Sequence, residues 1–427
     1  MNSGAELRVD GDAERMISGL VPQPAVDSRK LTKQVNAARL LREVRGGGPQ
    51  SRAELARVTG LSKATVNPLV ARLESLGYLQ ALSGYAEQDG PGRRAQLYAF
   101  RPQLGHVLGI DVGADKLVAI IADLDGRVIA SGRARTPETS LGDAAPVLAA
   151  IGELCQTVAA AASVRADQVL HAAVGTPGVI SPDGVVTAVP QIPGFEGLGL
   201  RAAIGELLRC PVSVHGEVHL SLLAERWLGL ARHLSNAIFI QLGVGVGASF
   251  LIDGRIVHGA NGAAGEIGSM PIGADDPQRG AFGRFEWAIG GRGIATRGVA
   301  AIHRGAGTGI LRAAGGAIET VDAVAVFDAC RNNDPDAVAI VEEAVDALAT
   351  GVISLGFTLD PEAVILSGGL IRAEDQIFPR LRRALDAVEG APRIIVSQLT
   401  DEAVALGAVR AGLNAVEEGW IANPIDI

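Results

Sequence analysis

The stretch IFIQLGVGVGASFLIDGRIVHGANGAAGEIGSM, residues 238–270, carries most of the information about the fold. Its apolar segments predict two strands joined at Asp253-Gly254, a pair that favours a two-residue hairpin because both turn positions need positive φ. Gly243, Gly245 and Gly247 end the first strand, and we expect them to leave backbone amides open to a phosphate or a sugar. A glycine turn that serves only packing is the alternative interpretation.

An earlier part of the chain repeats this scheme. Residues 107–130, VLGIDVGADKLVAIIADLDGRVIA, again show an apolar strand, a turn at Gly113, a second strand, Asp125-Gly126 and a third strand. Two similar β-meanders about 130 residues apart predict a duplicated α/β unit. The repeat resembles the two-lobed, ribonuclease H-like plan of actin and sugar kinases, and we expect the turns at 113 and 243–247 to face each other across a cleft.

Composition restricts the class of protein. The 427 residues, 48% of them hydrophobic, are enough for two or three domains with their own cores. No apolar run reaches the roughly 18–20 residues of a membrane span, and residues 1–28 lack the pattern of a signal peptide. The cysteines, Cys155, Cys210 and Cys330, are isolated and odd in number, which is typical of a reducing compartment. We therefore expect a cytoplasmic protein with no membrane partner.

Charge is divided unevenly along the chain. Residues 29–98 hold roughly 12 Lys and Arg against about 5 Asp and Glu, although the whole chain has a formal net charge of −9. A basic segment on an acidic chain indicates local contact with a polyanion.

The basic segment has the pattern of a winged helix-turn-helix. Helical periodicity predicts helices over residues 32–45, 52–58 and 63–76, with Ser51 and Ser62 as N-cap residues of the second and third. A short turn containing Gly60 joins the last two helices, as in a helix-turn-helix. Alternation over 78–83 and 95–100 predicts a hairpin that forms the wing, with Gly90, Gly92 and two arginines at its tip.

We expect the third helix to enter the major groove of double-stranded DNA. The side chains expected to read bases lie off its apolar stripe and are Lys63, Thr65 and Asn67, with Ser62 in the same interface. The candidate phosphate contacts are Ser51 and Arg52, and Arg93 and Arg94 of the wing would reach the minor groove or flanking phosphates. A protein-interaction module with a solvated basic face is the alternative interpretation.

The chain resembles the ROK family, which contains sugar-responsive repressors and sugar kinases. The motifs that carry the resemblance are LGVGVGASFLIDGRIVHGANGAAGEIG, VGTPGVISPDG, PQIPGF and EAVILSGGL, together with the winged helix, and they cover about residues 30–415. Family kinases generally lack the winged domain, so the resemblance favours the repressor branch. The expected domains are a disordered tail (1–28), the DNA-binding domain (29–101), a first lobe (102–232, completed by a helix at 401–418) and a second lobe (233–400).

The resemblance also indicates damaged catalytic positions. In family kinases an Asn-Asp pair follows a short strand, and the Asp accepts the proton of the sugar hydroxyl. Gly216 and Glu217 stand at these positions, and a carboxylate displaced by about an ångström can cost roughly 10²-fold in rate. Asp115 stands where a hydroxyl would meet phosphate, and Val244 replaces a Thr of the second glycine turn. We therefore predict no catalytic residue, although Asp111, which resembles the magnesium-associated Asp of the family, is retained.

Other family sites are carried over by motif. The residues of the nucleotide-like turns are Asp111, Gly113, Gly243, Gly245, Gly368 and Gly369. The residues that the resemblance places around a ligand are Gln191, Gly194, Glu217, Glu266 and Glu286. The positions of the family's structural zinc ligands, one His and three Cys, hold Ser269, Pro277, Arg279 and Arg284. Because zinc needs about four nitrogen or sulfur ligands, we predict no zinc and no other cofactor.

These features predict a DNA-binding transcriptional regulator, a repressor whose body senses a carbohydrate or related effector as a homodimer or homotetramer. An ATP-dependent sugar kinase of the glucokinase type is the alternative, kept open by Asp111, Glu217, Glu266 and residues 367–369. A third possibility is that the pocket answers to a different metabolite or to none.

Overall fold

The computed structural model describes residues 28–85, 95–138, 143–188, 192, 194–280, 282–399 and 401–422. The predicted tail up to residue 27 and the predicted wing tip, including Gly90 and Gly92, lie outside these ranges. The chain divides into two units. One holds residues up to Arg101 together with those from Glu417 onward, and the other is Pro102–Val416. Within the described residues, no helix is both long enough and apolar enough to cross a membrane.

The N-terminal unit has the predicted winged helix-turn-helix order. Its elements are α1 (Ser28–Gly47), β1 (Gln50–Ser51), α2 (Arg52–Thr59), α3 (Lys63–Ser75), β2 (Leu79–Tyr85) and β3 (Gln96–Phe100). The helices form because apolar residues recur at helical spacing and Ser51 and Ser62 cap the second and third. The short strand β1, which no sequence pattern indicated, pairs antiparallel with β3 and completes a three-stranded sheet.

An aromatic cluster completes the core of this unit. Trp420, near the end of the last helix, is buried and meets Tyr78 and Phe100 edge-on, with ring centroids 6.2 and 6.0 Å apart. In the preceding turn Glu417 accepts a hydrogen bond from Arg45 over 2.5 Å. The C-terminal residues therefore belong to the packing of the winged domain, which the sequence patterns did not indicate.

The first sheet of the body has the order β10-β7-β4-β5-β6. Its strands are β4 (His106–Val112), β5 (Lys116–Asp123), β6 (Val128–Arg135), β7 (Val169–Thr176) and β10 (Val212–Gly216). The first three form an antiparallel meander, whereas β7 and β10 are parallel to β4. The other elements of this part are α4 (Ala145–Ala161), β8 (Val179–Ile180), β9 (Val186–Ala188), α5 (Leu200–Leu208) and α6 (Glu217–Leu228).

The second sheet repeats this topology. Its strands are β11 (Ala237–Leu242), β12 (Val246–Ile252), β13 (Arg255–Val257), β14 (Ala363–Ser367) and β15 (Ile394–Val396), in the order β13-β12-β11-β14-β15. Again a three-stranded meander is extended on its first strand by two parallel strands. The predicted duplication is confirmed.

Helices surround the second sheet. They are α7 (Arg284–Ile289), α8 (Gly291–His303), α9 (Thr308–Ala313), α10 (Ala323–Arg331), α11 (Pro335–Leu359) and α12 (Glu374–Asp386), and the last helix of the chain is α13 (Ala403–Ala422). The N-terminal half of α13 packs on the first sheet: a Cβ at Gly109 would lie 2.4 Å from the carbonyl oxygen of Ala405. This close approach requires glycine in the middle of β4.

One prediction for residues 238–270 is corrected and one is confirmed. The segment holds three strands rather than two, because the glycine turn after Leu242 separates β11 from β12. The Asp253-Gly254 hairpin has the expected geometry, with φ values of 49° and 71°.

Candidate functional site

Helix α3 of the N-terminal unit presents a polar N-terminal face. Ser62 caps the helix, its Oγ accepting a hydrogen bond from the Thr65 amide over 3.2 Å. Lys63 and Asn67 are exposed, whereas Val66 and the later apolar residues of the stripe are buried. Capping fixes the start of the helix, and burial of the stripe leaves the polar side chains on the opposite face. This is the arrangement of a recognition helix.

The other candidate DNA contacts near α3 differ in their exposure and in their partners. Ser51 is only 7% exposed and its Oγ accepts from the Glu54 amide over 3.2 Å, which argues against a phosphate contact at this side chain. The Arg52 guanidinium lies over the Tyr98 ring, 5.0 Å from the centroid. Arg93 and Arg94 lie outside the described residues.

Helix α3 contains a proline that the sequence motifs did not single out. Pro68 has no amide hydrogen, so the carbonyl of Ala64 lacks the usual partner four residues on. Both residues are exposed at the N-terminal end of the same helix. Because proline in a helix interior always removes one such bond, this feature could have been predicted from the position of Pro68 in the helical pattern.

The body contains a cleft with a volume of about 850 Å³. It is lined by the turn and strand at 243–248, by residues of the 262–269 segment and by the start of α6. The charged and imidazole side chains in its wall are Asp115, Glu217, His219, Glu266, Glu286 and Arg292. The three predicted ligand carboxylates are thus brought together, and Gly243 and Gly245 line the same space.

Glu217 is the first residue of α6 and sits at the end of strand β10. Its Oε1 accepts a hydrogen bond from the side-chain amide of Gln241 over 2.9 Å. Burial, together with the negative charges of Asp111 and Glu266, raises the pKa of Glu217 to about 7. The carboxyl at the family's base position is therefore partly protonated near neutral pH.

The other acidic groups are perturbed in the same direction. Burial raises the pKa of Asp111 to about 7, against the opposing charge of Lys116. Glu266 opens onto the cleft, but partial desolvation raises the pKa of its carboxyl. Burial and the nearby charge of Glu266 also raise the pKa of Glu286, while Arg292 opposes this effect. The cleft is crowded with acidic groups that are costly to ionise together.

In the glycine turns, the amides of Gly243 and Gly113 donate hydrogen bonds to the protein's own backbone. The amide of Gly243 donates to the carbonyl of Gly245 over 2.9 Å, and Gly291 donates to the carbonyl of Gly243 over 2.8 Å. The Gly113 amide donates to Lys116 over 2.9 Å. Gly368 has a φ of 101°, and a Cβ there would lie 2.3 Å from the carbonyl oxygen of Leu242. The expectation of a bare amide was wrong at Gly243. An added Cβ at Gly243 would lie 3.7 Å from the carbonyl oxygen of Gly245, an ordinary contact, so close packing requires glycine at Gly368 but not at Gly243.

Several predicted site residues are not in the described cleft wall. Asp111, Gly113, Gly368 and Gly369 are absent from that wall, although Ala114 and Asp115 beside the first turn belong to it. Gly194 is held at a φ of 85° against the backbone of Asp143, and is likewise outside the wall. Gln191 lies outside the described residues.

A group of histidines adjoins the cleft and was not assigned from the motifs. His219 lines the cleft, is 9% exposed, and its ring lies 4.8 Å from that of His258. His171 and His215 both hydrogen-bond Ser213 Oγ over 3.0 Å. Burial, then the proximity of His258, lowers the pKa of His219 to about 4.

Arginines hold the loop at the family's zinc positions. Arg284 donates to the carbonyl of Gly273 over 2.6 Å, and Arg279 donates to the carbonyl of Phe282 over 2.7 Å. Asp276 accepts from the indole of Trp287 over 3.2 Å. These bonds tie the loop to α7 within the described residues of the segment.

Comparison with known proteins agrees with this architecture. Residues 107–411 match the family model described as ROK family, which is well over half of the chain, and residues 31–94 match the MarR family model. The chain belongs to the ROK family. Its N-terminal winged helix-turn-helix places this ROK protein in the transcriptional-regulator branch, as the motifs predicted.

Relatives of both kinds are found. The xylose repressor of Caldicellulosiruptor bescii is 26% identical over 391 residues, covering 89% of this ROK chain and 95% of the repressor. The glucokinase of Thermotoga maritima is 24% identical and covers 71% of the chain and 95% of the kinase. The crystal structure of a ROK family transcriptional regulator, a homologue of E. coli MLC, shares the fold with a TM-score of 0.73 at 24% identity, covering 92% of this chain and 98% of its own.

Proposed function

We propose that this ROK protein is a DNA-binding transcriptional repressor whose body binds a small-molecule effector and does not transfer phosphoryl groups. The observation that carries the proposal is the capped, exposed polar face of α3 within a basic segment, with Lys63 and Asn67 directed away from the core. Full-length similarity to a xylose repressor supports the same assignment.

The cleft is proposed to sense rather than to catalyse. Phosphoryl transfer needs donors preorganised around the phosphates. Here the amide of Gly243 is already bonded to Gly245, and Asp115 adds a negative charge to the cleft wall. Glu217, at the base position, accepts a hydrogen bond from Gln241. We also propose that no zinc is needed, since Arg279 and Arg284 tie the corresponding loop through backbone carbonyls.

Regulation follows from linkage. An effector that prefers one arrangement of the body changes operator affinity, and operator changes effector affinity by the same factor. We propose a carbohydrate-type effector and a homodimer or homotetramer in the cytoplasm, because helix-turn-helix dimers read two half-sites about one helical turn apart or a multiple of it.

Fluorescence anisotropy of the full chain with pseudo-palindromic genomic fragments tests this proposal. We expect specific, salt-dependent binding that Lys63→Ala and Asn67→Ala weaken, each to a different degree across fragments. Lys33→Ala, on the exposed side of α1, is the matched control for loss of one positive charge. Absence of salt-dependent binding to every fragment would overturn the repressor assignment.

A sugar kinase is the second candidate, favoured by the retained Asp111 and by similarity to a glucokinase. A coupled ADP-release assay with hexoses and amino sugars separates the two functions. Turnover at ordinary enzyme rates, lost on Glu217→Ala, would establish the kinase instead.

A further inference from the structure

The exposed face of α3 carries a proline next to an amide. The stripe that α3 buries consists of Val66, Leu69, Val70 and Leu73. Because successive residues of a helix are about 100° apart, Ala64 and Pro68 point directly away from this stripe, and Asn67 lies on the same exposed face. Residues at these spacings are neighbours on the helix surface. The surface that α3 offers to a groove of DNA therefore includes an apolar ring beside the Asn67 amide.

Packing and helix propensity give no reason for this proline. The ring of Pro68 is exposed, so it fills no space in the core. Its missing amide hydrogen leaves the carbonyl of Ala64 without a partner in the helix. Proline is the least favourable residue for a helix interior, whereas alanine is the most favourable and would restore the bond. We therefore looked for a contact that the ring can make outside the protein.

The major groove of DNA offers one apolar group. Its base edges present the acceptors of guanine, adenine and thymine, the amino groups of adenine and cytosine, and the C5 methyl group of thymine. A proline ring can neither donate nor accept a hydrogen bond. When the ring covers a polar base edge, it displaces water and returns no hydrogen bond. The thymine methyl group is therefore the feature of the groove that gains from contact with the ring.

We propose that Pro68 is a specificity-determining residue whose ring contacts the C5 methyl group of a thymine in each operator half-site, beside the adenine that Asn67 reads. The inference rests on the proposed function, in which α3 enters the major groove. An asparagine amide matches N6 and N7 of adenine, and an A·T pair presents these atoms and the thymine methyl group on one edge. The open carbonyl of Ala64 adds an acceptor to this face, which disfavours the acceptor-rich edge of guanine.

Replacement of thymine by deoxyuridine tests the contact, because the two bases differ only in the C5 methyl group. A random-sequence duplex pool selected on the full chain supplies the operator, and fluorescence anisotropy measures affinity for duplexes with one thymine position replaced at a time. We expect one position in each half-site to be sensitive. Loss of one buried methyl group should weaken binding about fourfold for one half-site and about 15-fold when both are changed. The other thymine positions should change affinity little.

The variant Pro68→Ala assigns the methyl contact to the ring. Its side chain is shorter, and its amide can donate to the carbonyl of Ala64, so the helix is retained. The deoxyuridine penalty should fall from about fourfold to less than about twofold per half-site, since both changes remove the same contact. Pro379→Ala is the matched control, because Pro379 is likewise an exposed proline at the sixth residue of a helix, α12 of the body. It should keep the full penalty.

The outcomes separate this inference from the proposed function. A deoxyuridine penalty that Pro68→Ala leaves unchanged would show that another residue contacts the methyl group and would overturn the proposal. A selected operator in which no thymine is sensitive to loss of its methyl group would do the same, and its salt-dependent, specific binding would still support the repressor. If neither the pool nor the genomic fragments yield bound DNA, the proposed function fails together with this inference.

Discussion

Gln241 and Glu217 join the two halves of the body through one hydrogen bond of 2.9 Å, from an amide on strand β11 to the carboxyl that begins helix α6. The bond uses one oxygen of the carboxyl at the family's base position. Burial and the neighbouring acids nevertheless raise the pKa of that carboxyl to about 7. Glu217 is therefore a buried acid that changes charge in the neutral range.

Glu217→Gln is expected to change how stability depends on pH. A carboxyl whose pKa is raised on folding contributes stability to the folded state that is fully present below its unfolded-state pKa. That contribution is lost as the pH rises through the folded-state pKa of about 7. The glutamine keeps an oxygen for Gln241 but cannot ionise. Each pKa unit is worth about 1.4 kcal/mol, so the variant should gain roughly 2–3 kcal/mol relative to the native chain between about pH 5 and about pH 8.

Thermal unfolding across this pH range measures the effect, with Glu153→Gln as the exposed control. Parallel pH profiles for the native chain and Glu217→Gln would show that the carboxyl is ionised throughout, contrary to its surroundings.

Much of the fold was accessible from the sequence because it rests on local signals. Asp253-Gly254 dictates a hairpin by its backbone preferences, and the repeated meander implies a repeated sheet. The division of residues 237–252 into β11 and β12 was missed because Gly243, Gly245 and Gly247 were assigned to the end of a single strand. The short strand β1 was missed because two residues are too few to show alternation.

The site was harder to predict because contacts between distant residues decide it. Nothing near Gly243 in sequence shows that its amide bonds to Gly245 rather than to a ligand. His219 lies next to His258 only after α6 and the second sheet have packed. The carboxylates Glu266 and Glu286 could be placed by motif, but their mutual influence depends on the folded cleft.

One substitution at the N-cap of α3 and one on its exposed face should separate effects on folding stability from effects on DNA recognition. Ser62→Ala removes the N-cap bond to Thr65 and should cost about 1 kcal/mol of stability. Asn67→Ala, at an exposed position, should leave stability unchanged but cost roughly 1–3 kcal/mol in binding and relax specificity at one operator position. Chemical denaturation and anisotropy with mutated operators measure the two effects. Equal loss of affinity for every operator sequence would show that Asn67 contacts the phosphate backbone of the DNA rather than a base.

Trp420→Ala should loosen the N-terminal unit. The buried indole fills the space beside Tyr78 and Phe100, and removing a buried aromatic side chain costs about 3–5 kcal/mol. Hydrogen exchange should therefore accelerate in peptides from α3 and β3 and stay unchanged in β4. Trp420→Phe, which keeps an aromatic ring, serves as the milder comparison. Unchanged protection in α3 after Trp420→Ala would mean that the C-terminal residues do not support the winged domain.

The loop at the family's zinc positions should depend on arginine rather than metal. Arg284→Met removes the hydrogen bond to the carbonyl of Gly273 and should cost about 1.5–3 kcal/mol. Arg304→Met, at an exposed position, is the matched control. Prolonged treatment with a zinc chelator should leave the melting temperature unchanged. A chelator-induced fall in melting temperature, reversed by added zinc, would show that the protein holds a structural metal.

Gly265→Ala should collapse the wall of the cleft. Gly265 has a φ of 101°, and an added Cβ would lie 1.9 Å from the carbonyl oxygen of Ala248, which belongs to β12 and cannot swing away as a side chain would. The same pair is joined by the Ala248 amide, which donates to the Gly265 carbonyl over 2.8 Å. The steric conflict and the unfavourable φ together should cost more than about 3 kcal/mol.

Gly199→Ala is the control, because a Cβ at that glycine meets no atom within 4 Å and its φ is −72°. Thermal unfolding should show a large loss for Gly265→Ala and almost none for Gly199→Ala, and calorimetry should show loss of ligand binding only in the first. Because Glu266 follows Gly265 directly, the backbone turn also sets the position of a cleft carboxylate. If Gly265→Ala melted like the native chain, β12 and this turn would have to lie farther apart than the hydrogen bond between them allows.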